Sequence, residues 1–148
     1  MRYLEDFAVG QTYESGRVTV SADQIRTYAA EFDPQPFHLD EGAARDSLFG
    51  GLAASGWHTA SLTMGLLVRG ELRPAGGFIG AGVDELRWPG PVRPGDELHV
   101  QCEVLETRES RSRPTHGLMR VRANTLNQRG ETVQTFIANL LVQRRPPK

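Results

Sequence analysis

The longest uncharged segment of this 148-residue chain, FGGLAASGWHTASLTMGLLV over residues 49–68, is the feature that most constrains the fold. It is long enough to cross a membrane, but glycine, serine, threonine and histidine interrupt it. From about Gly56 to Leu72, apolar side chains fall on nearly every side of a helix, and such a helix must be enclosed by other elements. We therefore expect a buried helix preceded by a glycine-rich loop, and no membrane partner.

The half of the chain that follows has the composition and periodicity of strands, and we expect it to enclose the helix. Apolar and polar residues largely alternate over residues 98–105, and no helical pattern separates the later segments, which favours an antiparallel sheet. A charged turn is expected over residues 107–117. The prediction is an α+β fold, with an antiparallel sheet wrapped around one long central helix in a single domain over residues 1–148. The expected strands are 78–88, 98–105, 118–126 and 132–142.

A helix and a stiff loop are predicted upstream of the central helix. Ser21 and Gln24 have the spacing of a capping box, and apolar residues follow at helical intervals. The helix should end near Asp33, because Pro34 disfavours helical geometry at the residue before it. Asp40 could cap a further short helix over residues 41–46.

Composition excludes several classes of function. Lys and Arg number 17 against 18 Asp and Glu, so no general basic surface for nucleic acid is expected. The single cysteine, Cys102, excludes an internal disulfide and a cysteine-based zinc site, and its alternating context predicts a core residue. Glu5 and Asp6 interrupt any signal-peptide pattern, so we expect a cytoplasmic protein. No histidine spacing predicts a metal site, no glycine-rich nucleotide loop is present, and no cofactor is expected.

Two potential acid–base groups lie on the stiff loop. Asp33 and His38 are five positions apart, and the prolines between them leave the backbone few conformations. A carboxylate and an imidazole aimed at one point can move protons to and from a water and a substrate. The spacing alone also fits plain structural roles, in which Asp33 closes a helix and His38 is a hydrogen-bonded loop residue.

Three motifs together resemble the MaoC-like dehydratase family, which includes the (R)-specific enoyl-CoA hydratases. They are DPQPFHLD at residues 33–40, SGW at 55–57 and WPGPVRPGD at 88–96, in the family's order along almost the whole chain. The resemblance implies a hot-dog fold, a homodimer or higher hot-dog oligomer, and a coenzyme A thioester substrate. The implied reaction is the reversible addition of water across the 2,3-double bond of a 2-enoyl-CoA.

The resemblance also assigns roles to residues. Asp33 and His38 match the catalytic pair of the family, and Gly56 matches the residue whose backbone N–H polarises the thioester carbonyl. Gly56 falls at the expected N-terminus of the central helix, where free N–H groups and the helix dipole favour an anion. A glycine there also allows a ligand close to the backbone. The residues expected to contact substrate are Phe37, Ser55, Trp57 and Met64.

Departures from the family pattern keep other functions open. Gln35 stands where asparagine is usual, Ser55 where histidine is common, and Met64 where hydratases often have a serine near the catalytic pair. One alternative is a hot-dog acyl-CoA thioesterase. The other is a non-catalytic acyl-CoA-binding subunit, which Met64 keeps open and the intact Asp33 and His38 pair disfavours. His58 is interpreted as a packed or hydrogen-bonded residue of the central helix.

Overall fold

The computed structural model describes residues 1–148 and contains one antiparallel sheet with helices on one face. The strand order is β1-β3-β4-β5-β2, and every neighbouring pair is antiparallel. The predicted α+β architecture is therefore confirmed. The strands are β1 (Thr12–Thr19), β2 (Ile79–Arg87), β3 (Glu97–Glu109), β4 (His116–Leu126) and β5 (Thr132–Gln143), and the helices are α1 (Ala22–Phe32), α2 (Pro36–Leu39), α3 (Glu41–Arg45) and α4 (Gly56–Arg69).

The helix starts follow the local sequence. Ser21 and Gln24 form the expected capping box, each side chain accepting from the backbone N–H of the other residue. Asp40 accepts from the N–H of Ala43 and so caps α3, as predicted. The Cys102 side chain lies in the core with Val100 and Val104, which confirms its predicted position.

Two boundaries differ from the sequence predictions. Helix α4 ends at Arg69, before the expected Leu72, because the chain turns at Gly70 against the β1 backbone. A Cβ at Gly70 would lie 3.2 Å from the Glu14 carbonyl oxygen, so this turn brings two backbones together. The predicted turn over residues 107–117 is shorter, because β3 continues to Glu109 and β4 begins at His116.

The sheet covers one side of α4, and part of the other side stays exposed in the single chain. Val100, Val104 and Leu66 are buried where α4 packs on the sheet. On its other side, α4 leaves Met64 43% and Val68 54% exposed. The sheet's β2 edge is also largely exposed. None of the helices combines the length and the apolar character needed to cross a membrane.

Candidate active site

The loop between α1 and α3 brings Asp33 and His38 to one place. Asp33 ends α1, where its N–H donates to the Ala29 carbonyl, and Pro36 begins α2 at the position where a proline is best tolerated. The single turn of α2 carries His38 back toward the end of α1. His38 Nε2 lies 3.3 Å from Asp33 Oδ2. The structure thus joins the two residues that the sequence analysis singled out.

A backbone contact fixes the tautomer of His38. Its Nδ1 lies 2.6 Å from the carbonyl oxygen of Ala53, and the side chain is 4% exposed. A carbonyl oxygen only accepts, so Nδ1 carries the hydrogen and donates it. In the neutral ring, Nε2 then holds a lone pair toward Asp33 and the adjoining cavity. The imidazole can therefore accept a proton at Nε2 without rearranging.

Asp33 is held as a carboxylate by its neighbours. Ser55 Oγ donates to Oδ2 at 2.7 Å, and Gln35 Nε2 donates to Oδ1 at 2.5 Å. Burial acts to raise the pKa of Asp33, but these hydrogen bonds, and the positive charge on His38 when Nε2 is protonated, outweigh it, so the pKa of Asp33 lies below its usual range. Gln35 and Ser55, which depart from the family pattern, thus both support the carboxylate.

Gly56 presents a free N–H beside the pair. It is the first residue of α4, and its N–H donates to no group of the protein. Ser55 caps the helix by accepting from the N–H of Trp57, which leaves the Gly56 N–H for a ligand. The helix dipole adds partial positive charge at this end. An oxyanion placed here would meet an unused donor.

The structure gives Gly56 a second reason to be glycine. A Cβ at this position would lie 2.5 Å from Cε2 of Trp88, whose indole rests on the helix start. The expectation from sequence was that glycine makes room for a ligand. The space that a side chain would take is instead filled by Trp88, and only the N–H direction remains open.

One open cavity of about 530 Å³ joins Gly56 to the Asp33 and His38 pair. We call this pair the dyad and this space the dyad cavity. Phe37 and Trp57 line it together with Asp33, His38 and Gly56. Ser55 is buried behind the cavity, where its hydroxyl reaches Asp33. The structure places Met64 elsewhere, in a separate apolar cavity against β2 and β5. The sequence analysis did not assign three further residues that line the dyad cavity: Thr59, Trp88 and Arg93.

Arg93 braces the wall of the cavity. Its guanidinium donates to the carbonyl oxygens of Phe49 and Gly51, the latter at 2.8 Å, and so holds the glycine-rich loop before α4. Its backbone N–H donates to Asp96, which is buried in the same turn. The motif WPGPVRPGD was recognised from the sequence, but its spacing gave no sign that the turn folds back onto α4.

His58, the third residue of α4, faces away from the dyad. Its ring stacks on Tyr28 of α1 with centroids 4.5 Å apart, and its buried Nδ1 has no hydrogen-bond partner. Burial lowers the pKa of His58 below its ordinary value. The packed role predicted for it agrees with these contacts, although the hydrogen bond is absent at Nδ1. No group of three or more His, Cys, Asp or Glu side chains is placed to hold a metal ion.

Comparison with known families identifies related proteins over most of the chain. The family model described as the MaoC like domain matches residues 6–126. A 3-hydroxybutyryl-CoA dehydratase from Methylorubrum extorquens is 33% identical over 111 residues, covering 75% of this chain and 69% of the relative.

Solved structures agree with this match. A MaoC-like dehydratase from Rhodospirillum rubrum has 58% sequence identity and a TM-score of 0.95, covering 99% of this chain and 100% of that one. The (R)-hydratase PhaJ1 from Pseudomonas aeruginosa, unliganded, has 26% identity and a TM-score of 0.77, covering 99% and 94% of the two chains. The predicted hot-dog fold is confirmed by these neighbours.

Proposed function

The chain belongs to the MaoC-like dehydratase family, and from this premise we propose that it catalyses the reversible hydration of 2-enoyl-CoA thioesters to 3-hydroxyacyl-CoA thioesters. The observation that carries the proposal is the contact between His38 Nε2 and Asp33 Oδ2, 3.3 Å apart in a cavity that also holds the free N–H of Gly56. The related dehydratase and (R)-hydratase support the reaction class.

The proposed reaction uses the Asp33 and His38 pair on one water. One group accepts a proton as the water oxygen bonds to C3, and the π electrons of the C2–C3 double bond move toward the thioester carbonyl. The other group holds a proton on Nε2 or Oδ2 at the start and gives it to C2, so the product has gained the elements of water. Either group of the pair can take either part, because both line the same cavity and their reactive atoms lie 3.3 Å apart.

The short contact also resets the pair. After hydration the base holds an extra proton and the acid lacks one. The 3.3 Å between Nε2 and Oδ2 lets that proton return directly, without a separate relay. The opposite sequence dehydrates the 3-hydroxy thioester.

In this proposal the Gly56 N–H stabilises the charge that develops on the thioester oxygen. The donor is already oriented by α4 and has no competing acceptor in the protein. A preorganised donor of this kind contributes about 2.7–4 kcal/mol to transition-state stability. Phe37 and Trp57 supply apolar walls along which the acyl group can lie.

The experiment that tests this function follows two signals in one assay. A panel of 2-enoyl-CoA substrates of different chain length is mixed with the protein, and the absorbance of the conjugated double bond is recorded alongside free thiol. Loss of conjugation without thiol release is the expected result. Thiol release would establish the thioesterase alternative instead. Binding without either signal would establish a non-catalytic acyl-CoA-binding subunit. A coenzyme A substrate also fits the cytoplasmic location expected from the sequence.

We further propose that the protein is a homodimer joined through β2. The other sheet edge, β1, is partly covered by its own chain, because Glu71 bonds the Glu14 backbone through both its N–H and its carboxylate. The β2 edge has no such cover and exposes Ile79 and Val83. Pairing β2 with its copy removes an open edge and covers apolar surface. Light scattering coupled to gel filtration should give twice the chain mass of 16.4 kDa, and a particle of 16.4 kDa at micromolar concentration would refute the dimer.

A further inference from the structure

A chain of buried polar groups runs through the core to the wall of the dyad cavity. Trp88 Nε1–H donates to Gln134 Oε1 at 2.9 Å, and Gln134 Nε2 donates to Thr63 Oγ1 at 2.9 Å. Thr63 in turn donates to the Thr59 carbonyl and accepts from Thr125. Gln134, Thr63 and Thr125 have no exposed surface. An amide enclosed at this depth is unusual for a strand and calls for a reason beyond packing.

The direction of these hydrogen bonds is fixed by chemistry. An indole N–H can only donate, so it must face the oxygen of the Gln134 amide. The amide nitrogen must then face Thr63, whose hydroxyl hydrogen is already given to the Thr59 carbonyl. Every polar atom of the Gln134 side chain thus has a partner in one arrangement only, and that arrangement holds the Trp88 ring in one position.

The ring so held lies next to the Gly56 N–H. The Cα–Cβ direction in a helix tilts toward the N-terminus. The space that a Gly56 Cβ would occupy, which Cε2, Cδ2 and Cζ2 of Trp88 fill, is therefore on the side of the helix start toward which the N–H points. An acyl group with its carbonyl oxygen on that N–H would have its C2 carbon close to the indole. Trp57 meets the same indole edge-on, with centroids 5.4 Å apart.

We propose that Trp88 is a specificity-determining residue that excludes thioesters branched at C2, and that Gln134 is the positioning residue that holds its indole in place. This inference rests on the proposed function, because it uses the Gly56 N–H as the carbonyl site. A linear acyl group passes the indole edge, whereas a methyl group on C2 meets the ring. One methylene in a hydrophobic pocket is worth roughly 10–200-fold in kcat/KM, and the preference for unbranched substrates should fall in that range.

The first test compares but-2-enoyl-CoA with 2-methylbut-2-enoyl-CoA. Trp88→Ala should reduce the preference for the unbranched substrate by at least about tenfold, mainly by improving kcat/KM for the branched one. Leu48→Ala is the matched control, because Leu48 lines the outer rim of the same cavity and is fully exposed. It should leave the ratio unchanged. An unchanged ratio in folded Trp88→Ala would overturn the proposal.

The second test addresses Gln134. Gln134→Met keeps the length of the side chain but leaves the indole N–H without its acceptor, so the ring should be released. In a Trp57→Phe background, the emission of Trp88 should then shift, and the preference for the unbranched substrate should weaken. Adding Trp88→Phe removes the unpaired donor and should recover part of the melting temperature lost in Gln134→Met. A melting change without any change in emission or substrate ratio would reduce Gln134 to a purely structural residue and refute its positioning role.

A binding measurement separates this inference from the reaction. Titration calorimetry with butanoyl-CoA and 2-methylbutanoyl-CoA, which lack the double bond, needs no turnover. Wild type should bind the linear thioester more tightly, and Trp88→Ala should narrow the difference. If wild type hydrates nothing yet discriminates in this way, the hydratase proposal fails and the role of Trp88 stands. Hydration of both substrates at equal rates by wild type, with equal binding, would refute the role of Trp88 alone.

Discussion

Helix α4 borders two cavities that differ in how they are completed. The dyad cavity, at the helix start, contains His38 and Asp33, and each of these polar side chains has partners within the chain. The second, about 360 Å³, lies farther along the helix and is lined almost entirely by apolar side chains, among them Met64, Phe78 and Val83. It opens beside the β2 edge, where Val83 is 55% exposed.

The difference follows from the forces involved. Polar groups must be satisfied in defined directions, so a catalytic pair is held where one loop and one helix start meet. Apolar surface has no directional requirement and needs only to be removed from water, which a second copy can do. The single chain therefore fixes the proposed chemistry, whereas the apolar cavity depends on the proposed dimer. Changes at the two cavities should have separable effects.

The largest effect is expected at the dyad cavity. Asp33→Asn keeps the shape of the side chain and removes its basicity, and His38→Ala removes the proton carrier. Each should lower turnover of an accepted 2-enoyl-CoA by about 10²–10⁴-fold. Because both groups serve one water, the double variant should have turnover only slightly below that of the less active single variant.

The oligomeric state provides the control for these variants. Their mass by light scattering should match wild type, because neither residue lies at the apolar cavity or the β2 edge. Melting temperatures should change modestly. Multiplicative losses in the double variant would indicate independent roles, and near wild-type turnover in either single variant would remove that residue from the site.

A smaller loss of turnover is expected when the backbone N–H of residue Gly56 is removed. Gly56→Pro alone is not a clean test, because any Cβ at this position collides with Trp88. In a Trp88→Ala background the space is free, and proline is tolerated in the first turn of a helix. Adding Gly56→Pro there should lower turnover by about 10²–10³-fold, the equivalent of one oxyanion donor.

The matched control is Gly56→Ala in the same background, which adds the Cβ and keeps the N–H. It should retain most of the turnover of Trp88→Ala. If the proline and alanine variants are equally active and both are folded, the Gly56 N–H has no part in the reaction.

The sequence predicted the parts of the molecule that are set by local pattern. The capping box at Ser21, the antiparallel strands and the central helix all follow from spacing and periodicity. The proximity of Asp33 and His38 could be anticipated because only four residues, two of them prolines, separate them. The proposed role of Trp88 could not be anticipated from the sequence. It depends on the end of β2 lying against Gly56 and on a bond from Gln134, which is far from Trp88 and Gly56 in sequence.

For Met64, the position expected from the family resemblance differs from its position in the structure. The family resemblance aligned it with a residue near the catalytic pair, but side-chain direction on a helix changes by about 100° per residue, so a shift of one position moves a side chain to another face. The structure has Met64 at the apolar cavity and Thr63 buried against Gln134. The doubt that Met64 raised about catalysis therefore concerns a different region of the molecule.

The apolar cavity is tested through the dimer. Val83→Asp places a carboxylate at the edge strand, where the proposed second copy would bury it without a partner. The dimer dissociation constant should rise by about 10–100-fold, equivalent to 1.4–2.8 kcal/mol, measured by sedimentation or light scattering across a dilution series. Val9→Asp is the control, because Val9 is similarly exposed but lies outside this cavity. A dimer equally stable in both variants would place the interface elsewhere.

The smallest effect is expected at His58, which lines neither cavity and packs against Tyr28 of α1. Burial lowers its pKa in the folded state below the ordinary 6.5, so the unfolded chain binds the proton more readily. The stability that follows from the neutral ring is complete above pH 6.5 and is lost as the pH falls from there through the lower folded pKa. The slope is at most ~1.4 kcal/mol per pH unit, because one proton is involved.

His58→Phe keeps a ring stacked on Tyr28 but cannot take up a proton, so its free energy of unfolding should vary less between pH 6.5 and pH 5 than that of wild type. Denaturation at pH 8, where the His58 ring is neutral, measures separately the difference in packing between the histidine and phenylalanine rings. Parallel pH profiles for the two proteins would show that the proton on His58 is not linked to folding.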